Sequence, residues 1–580
     1  MSRIRYTISN REISSILEEI GTILELKGEN IFKSRAYYNA ARIIRYYPES
    51  IAEIVRKGKL SEIKGIGEAL TKKITELVNT GSLKYYEKIK NSVPPGFLNM
   101  LKIPGLGPRK IKILYDKLNI ASISELEYAC KENRLLALQG FGKKSQDNIL
   151  SGIKFLKKYY RKHLFNEAII EAENVKEKLS SIKDIIRLEI VGSIRRKKEL
   201  IRNINIVASS NDPEKIIRHI ITTEGVKGGF TDGKSKIIYS YFFTDISIHL
   251  YVVPDDKFPY ALYYYTGSSN HIKLMEKRAE KFNLKLNEDG IFRGDSLTVI
   301  KDENDVFQNL GLSYIPPELR EGLDEIEIAE KGEIPELIKN EDIKGIFHIH
   351  TIYSDGSSSI PELIEVASKK GYEYIGIADH SKSAFYANGL TEEKINQQHK
   401  EIDNLNNKNN NFKVFKGIEC DILPDGSLDY SDDILEGFDF VIAAVHTHFK
   451  MSERGMTKRV IRAMKNKFVT MLAHPTGRLL LGRERYSINM KKIIKAAKDY
   501  NVIIELNANP YRFDIDWRLL KYTKTKGVKI AINPDAHSLE GIYDVNYGVG
   551  IARKGWLESK DAINTYTLNE VQNLFKEMKK

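Results

Sequence analysis

Two kinds of hydrophobic spacing divide this chain. From residue 8 to 160, apolar positions recur every three to four residues, as in REISSILEEIGTILELKG, and glycines punctuate the runs. That periodicity predicts helices throughout. Between 165 and 330 the runs RLEIVGS, INIVAS, KIIYSYFF and ISIHLYVV predict β-strands, and HIKLMEKRAEKF predicts a helix. The stretch IPPELREGLDEIEIAEKGEIPELIKNEDIKG is charged and rich in Pro and Glu, and reads as a linker. From residue 346 buried-strand patterns alternate with amphipathic ones: IFHIHT, PELIEVASKKG, YEYIGIADH, VFKGIECDI, FDFVIAAVHTH, FVTMLAHP, MKKIIKAAKDY, VIIELNANP, DWRLLKYTKTKG and VKIAINPDAH. This alternation predicts a β/α barrel.

A length of 580 residues accommodates several domains, each with its own core. The expected bounds are 1–90, 91–160, 161–330 and 340–580. No apolar run reaches the ~18 residues needed to span a membrane, and MSRIRYTISNREISS lacks the apolar core of a signal peptide. Two cysteines, Cys130 and Cys420, give no disulfide framework, so the expected compartment is a reducing cytoplasm. The charge is unevenly spread. Residues 1–160 carry 29 Lys+Arg against 16 Asp+Glu, and the remaining 420 carry 62 against 62. A local basic excess fits a polyanionic partner.

Three turns in the basic segment are alike. They run from Leu60 to Gly67, from Leu101 to Gly107 and from Leu136 to Gly142, each ending apolar-x-Gly-apolar-Gly. The glycines are Gly65 and Gly67, Gly105 and Gly107, Gly140 and Gly142. Lys72, Lys73, Arg109, Lys110, Lys143 and Lys144 follow them. This is the helix-hairpin-helix pattern. Its glycines let the backbone approach a phosphate, and the next helix points free N–H groups at it. Sequence-independent DNA binding is the expectation.

Eight of the twelve histidines lie after residue 340. They arrive with acids in short pieces at strand ends: His348-Ile-His350, Asp355, Asp379-His380, Glu419, His446, His474 and Asp535-Ala-His537. Barrel enzymes build their sites at strand C-terminal ends. Imidazole with carboxylate suits Zn²⁺, Mn²⁺ or Fe²⁺, whereas Mg²⁺ prefers oxygen ligands. His448 and His399 read as surface or substrate-side residues. Arg478, Arg483, Arg485 and Arg512 follow ligand-bearing strands and are candidates for phosphate binding or for salt bridges.

HIHTIYSDG, IGIADH, GIECDI, AAVHTH, LAHP and INPDAH together resemble the PHP (polymerase and histidinol phosphatase) domain, a metal-dependent phosphoesterase with a distorted β/α barrel. The resemblance implies three divalent metals, Mn, Zn or Fe. His348, His350, Glu419 and Asp535 would hold one. Glu419 would bridge to a second, shared with His446 and His474. Asp355, His380 and His537 would hold the third. Glu419, Asp535 and His446 are the implied catalytic positions.

Residues 1–320 resemble a family X (β-like) DNA polymerase. The resemblance rests on the helix-hairpin-helix turns, Val191-Gly-Ser-Ile-Arg-Arg196, Tyr265-Thr-Gly-Ser268 and Ile315-Pro-Pro-Glu-Leu-Arg320. It implies an all-α front, an α+β nucleotidyltransferase palm and thumb, and nucleotide contacts at Gly192, Ser193, Arg196, Tyr265 and Gly267. By motif position, Lys73 falls where the family can form a Schiff base with an abasic sugar.

The chain departs from this family where three palm aspartates should stand. It has Asn203, Asn205 and His249 instead. Neutral amides bring no charge to Mg²⁺, so no Mg²⁺ is expected in the palm. Asp245 is no substitute for a residue at 249, since it lies ~13 Å along the strand at ~3.3 Å per residue. The expected function is therefore a DNA-binding, metal-dependent phosphodiesterase. It would act as a 3′–5′ exonuclease, an abasic-site endonuclease or both, in base-excision repair, with the polymerase lost. Gapped, nicked, abasic or 3′-ended DNA is the expected partner, with dNTP a further candidate ligand, and the expected state is a monomer. The alternatives are a polymerase using unconventional ligands, a non-catalytic scaffold on DNA ends, and a small-molecule phosphatase.

Overall fold

In the computed structural model, residues 8–159, 162–223, 226–231, 236–241, 246–408 and 412–579 are described. Asp245 lies outside them. The chain forms two compact units, residues 1–160 and 161–580.

The first unit is all helix. Ser9 caps its first helix, Asn10–Leu26, in a reciprocal box with Glu12, which satisfies donors that a helix start leaves open. Ile13, Leu17, Ile20 and Leu24 face inward on that helix at steps of four, three and four, and all are buried. They pack on Ile31–Arg45.

The second unit contains two large sheets. The first has five strands, in the order Arg187–Val191, Asn203–Ser209, Ser247–Val253, Lys236–Tyr241 and Val226–Thr231. The last of these, VKGGFT, has no alternating pattern to mark it as a strand.

The second sheet has seven parallel strands in sequential order, from Gly345–Ile349 to Ile530–Asn533. A parallel bridge from Ile349 to Ala536 joins the first strand to the segment after the last. The barrel is filled at its N-terminal end by aromatic rings. Phe575 of the last helix, Leu568–Met578, packs on Phe347 and Phe440 at centroid distances of 5.5 Å each. Gly417 is glycine because a β-carbon there would stand 2.1 Å from the Phe440 ring. With the base plugged, polar side chains gather at the other end.

The stretch expected to be a linker is packed structure instead. Arg320 is fully buried within it, donating to Glu303 at 2.7 Å and to the Ile315 carbonyl at 2.8 Å. Its charges read as solvated in the sequence because their partners lie elsewhere in the chain. The buried ammonium of Lys554 donates to the carbonyls of Arg196 and Glu318 at 3.0 and 3.2 Å and to Glu321 at 2.5 Å. The palm, thumb and barrel are thereby joined.

Candidate metal centre

Each polar side chain at the open end of the barrel follows from strand position. His380 ends the strand Tyr374–His380 and pairs in register with Glu419 of the neighbouring strand. His446, His474 and Asp535 stand just past the next strand ends. His348 and Asp535 adopt left-handed backbone, with φ of 59° and 51°. Such conformations cost about 1 kcal/mol or more for a residue with a β-carbon and cluster at functional sites.

The nine sequence-predicted side chains meet in one cluster. Glu419 lies at its centre, 2.9 Å from His474 and His380, 3.2 Å from His446 and 3.3 Å from His348. Asp535 Oδ1 is 3.2 Å from His350 and 3.5 Å from His348. Asp355 is 3.5 Å from His537 and 3.6 Å from His380. Two ligands on one tetrahedral ion at ~2.1 Å stand about 3.4 Å apart, so these separations suit shared cations. The floor is closed and the rim is open. His348, His350 and Glu419 are at most 1% exposed at the side chain, while Asp355 and His537 are 32% and 41% exposed.

The donor set fits metal on a second ground. His348 Nε2, both ring nitrogens of His350, His380 Nδ1, His474 Nδ1 and Glu419 Oε2 are buried without a hydrogen-bond partner. Such orphans cost about 1–3 kcal/mol each, and a coordinated cation removes the cost. The charges in the cluster are tightly coupled: against burial, Glu419 and Asp421 push His446 up to about 10, and Asp355 and Asp535 push His537 up to about 9. Burial would raise the Glu419 carboxyl, but His446, His380 and His348 hold it well below the usual carboxylate range. Burial, with His537 and His380 nearby, pushes His350 down to about 3, leaving it the neutral form that coordinates.

Sequence reasoning missed the carboxylates that aim the ligands. Glu505 accepts from His348 Nδ1 at 2.6 Å, from the His474 backbone N–H at 2.6 Å and from Asn533 at 3.1 Å. Asp421 pairs with His446 Nδ1, and Asn507 donates to Asp535 at 3.0 Å. Asp379 turns away from the cluster. It accepts from Thr351 N–H at 2.8 Å and from Gln398 at 2.6 Å, fixing the loop that carries Asp355. The sequence signal was an acid inside an apolar strand, as in VIIELNANP. Carboxylates behind ligating imidazoles are worth roughly 10–100-fold in metal affinity or activity. Glu505→Gln and Asp421→Asn are therefore expected to weaken Mn²⁺ binding by that factor, read by isothermal titration, while the fold persists.

The four arginines differ in their surroundings. Arg478 is held by Glu199 of the palm, by Asp516 at 3.3 Å and by the carbonyls of Arg512 and Phe513, so it is a junction residue. Arg512 lies 3.4 Å from Asp535. Arg483 lies 4.4 Å over Phe449, and Arg485 is exposed. His399 packs on Phe438, and His448 is exposed. Phe385 and Tyr386, which sequence reasoning passed over, are 88% and 70% exposed, and Tyr386 sits 6.1 Å from His380.

In the first unit, Gly65, Gly105 and Gly140 take left-handed φ of 97°, 80° and 86°. Gly67 and Gly107 cap the next helices at ordinary φ of −77° and −82°. A β-carbon on either, or on Gly142, would meet nothing within 4 Å. Internal packing does not require glycine at these positions, and each stands open to approach from outside. Lys72 pairs with Glu68 at 2.8 Å, Arg109 with Glu25 at 3.4 Å, and Lys110 reaches the Gly105 carbonyl at 3.2 Å. Lys143 and Lys144 are exposed. Lys73 lies 4.8 Å over the Tyr85 ring.

Comparison with known proteins matches these parts separately. Residues 8–83 match a helix-hairpin-helix domain, 97–154 a SAM-like helix-hairpin-helix tandem, 261–321 the DNA polymerase beta thumb and 347–509 the PHP domain. A probable phosphatase of Thermoanaerobacter sp. is 29% identical over 40% of this chain and 94% of its own length. A probable phosphatase of Caldicellulosiruptor bescii is 31% identical over 33% of this chain and 78% of its own. The DNA polymerase/3′-5′ exonuclease PolX of Bacillus subtilis is 36% identical over 98% of this chain and 99% of its own. The chain belongs to the PolX family.

In this PolX chain the three positions where the resemblance implies aspartates lie together. Asn203 and Asn205 lie on one strand, and Asn205 pairs in register with His249 on the next. Asn203 Nδ2 donates to Asn205 Oδ1 at 2.9 Å. Gly192 faces this pair, since a β-carbon there would stand 2.5 Å from Asn205 Nδ2. Burial and nearby Lys236 lower the His249 pKa, which favours the neutral ring. The expected nucleotide contacts are occupied from within. Arg196 donates to the Thr266 carbonyl and to Glu321 at 3.2 Å. Gly267 packs against the Arg196 guanidinium, and Tyr265 stacks on Tyr251 at 3.7 Å. Ser193, beside Gly192, is half-buried. A PolX chain binds DNA through its helix-hairpin-helix and thumb parts, and its PHP part is a metal-dependent hydrolase. Among the described residues, no helix is long and apolar enough to cross a membrane.

Proposed function

We propose that this chain removes nucleotides from DNA 3′ ends and cuts at abasic sites in DNA repair, using the PHP cluster, and that its palm no longer polymerises. The observation that carries the reading is the convergence of six imidazoles on Glu419, Asp535 and Asp355. Three divalent ions, Mn²⁺, Zn²⁺ or Fe²⁺, would be held by His348, His350, Glu419 and Asp535, by Glu419, His446 and His474, and by Asp355, His380 and His537. Bound there, such ions lower the pKa of water and neutralise charge on the attacking and leaving oxygens.

The protein residues supply orientation. Glu505 and Asp421 hold His348 and His446 by their outer nitrogens. Tyr386 stands exposed beside His380 at the cluster, where an unpaired base can stack, a contact worth about 1–3 kcal/mol per base. PHP relatives named as phosphatases leave a small phosphomonoester as the rival substrate. The basic helix-hairpin-helix unit favours DNA.

The test offers 3′-ended and abasic DNA to the purified chain with each of Mn²⁺, Zn²⁺ and Fe²⁺. Cleavage is expected with at least one, and none with any divalent ion sinks the proposal. The DNA-binding half has its own check. Gly67→Val and Gly107→Val place side chains where phosphate would approach. They are expected to leave the melting temperature nearly unchanged while weakening DNA binding, read by fluorescence anisotropy. Equal binding would remove these turns from the interface.

A further inference from the structure

The neutral balance of residues 161–580 conceals a concentrated charge. Residues 450–500 carry 14 Lys+Arg and 3 Asp+Glu, a net of +11. Two helices of this segment, Glu453–Met464 and Met490–Asp499, lie side by side. A cleft of about 590 Å³ runs between them. Arg454, Lys458, Arg462 and Lys465 line it from the first helix at steps of four, four and three residues, and Lys492 lines it from the second. At 1.5 Å rise per residue the row extends about 16 Å.

These cations are little neutralised from within. Arg462 meets Asp425 at 3.3 Å while remaining 57% exposed. Arg454, Lys458 and Lys492 are exposed and have no ion-pair partner among the described residues. Glu453 is the one carboxylate in the lining, and it accepts from Asn489 at 3.4 Å. Like charges four apart on a helix destabilise it by about 0.2–0.5 kcal/mol per pair. Arg454–Lys458 and Lys458–Arg462 are two such pairs, an arrangement that a polyanion relieves.

The topology places this row beside the metal centre. The first helix begins after the loop that carries His446, and the second after the loop that carries His474. In a β/α barrel both helix starts stand on the face where strands end. Asn489 N–H donates to Thr457 Oγ1 at 3.0 Å, tying the two starts together. The cleft therefore opens on the ligand-bearing face and runs down the barrel flank.

We propose that this cleft is a second DNA contact, a track for the sugar–phosphate backbone of the strand whose 3′ end lies in the metal centre. The track rests on the DNA-cleaving reading above. It is separate from the helix-hairpin-helix unit, and it gives the barrel its own hold on the strand being shortened.

The test is the full chain carrying Arg454→Glu, Lys458→Glu and Lys492→Glu, with circular dichroism and melting to verify the fold. A dinucleotide reports the metal centre alone, whereas a long single strand reports centre and track. The ratio of kcat/KM on the long strand to that on the dinucleotide is expected to fall about tenfold. The slope of log affinity against log salt is expected to become shallower by about 2, at roughly 0.7 per lost single-strand contact. An unchanged ratio and slope overturn the track. If the wild-type chain cleaves neither substrate, the DNA-cleaving reading fails, and anisotropy on the long strand still decides whether the cleft binds DNA. Loss of binding to phosphatidylserine vesicles, with DNA affinity intact, would assign the cleft to a membrane surface instead and overturn the proposal.

Discussion

Glu419→Ala and Asp535→Ala are each expected to lower cleavage of 3′-ended DNA by about three orders of magnitude. Each removes a buried anion on which several imidazoles converge. Glu419 contacts His348, His380, His446 and His474 within 3.3 Å. Charge stabilisation by metal is worth several kcal/mol, and each 1.4 kcal/mol is tenfold in rate. A structural role for Glu419 predicts a different outcome. If the carboxylate only filled space, Glu419→Gln would keep activity, since the amide has the same shape. If its charge gathers metal, Glu419→Gln melts as a folded protein but loses both cleavage and the stabilisation that added Mn²⁺ confers. That stabilisation reaches about 2.7 kcal/mol when the ion stands at a hundred times its dissociation constant. Metal-dependent melting thus separates the two roles without reference to rate. An active Glu419→Gln variant would remove the cluster from the chemistry.

The cluster was legible in the sequence because its members are chemically specific and most of them stand at the end of a short apolar run. A strand end in a parallel barrel fixes where the next side chain goes, so His380 beside Glu419 follows from the pattern. What supports the ligands was hidden for the same reason that it works. Glu505 holds His348 from 157 residues away, and Arg478 meets Glu199 across 279. No local periodicity reports such a pairing. Arg320 looked like one of many linker charges until Glu303 appeared beside it in the fold. The basic cleft was hidden by averaging, since a net of +11 over residues 450–500 vanishes in a segment that balances to zero. In the palm the sequence showed amides and an imidazole where the resemblance implies aspartates. Only the fold shows that Asn203 now satisfies Asn205 and that Arg196 is engaged by Glu321.

With cleavage silenced by Glu419→Ala, primer extension is expected to stay at background with Mg²⁺ or Mn²⁺, and to appear when Asn203→Asp, Asn205→Asp and His249→Asp are added. The side chains of Asn203 and Asn205 stand 2.9 Å apart. As carboxylates at about 3 Å they would repel by roughly 5 kcal/mol at an effective dielectric constant of about 20, and a divalent ion would reverse that sign. As amides they form a hydrogen bond worth about 1 kcal/mol, and nothing is left to attract a cation. The three aspartates are therefore expected to exchange local stability for a metal site. The triple variant should melt below the parent without Mg²⁺ and recover when Mg²⁺ is added, whereas the parent palm should be indifferent to the ion. In that variant Arg196 is expected to exchange Glu321 and the Thr266 carbonyl for the incoming triphosphate. Recovery of Mg²⁺-dependent melting without extension would place the remaining block at Arg196. Extension by the unaltered palm would show that Asn203, Asn205 and His249 still serve polymerisation, and would overturn its assignment as lost.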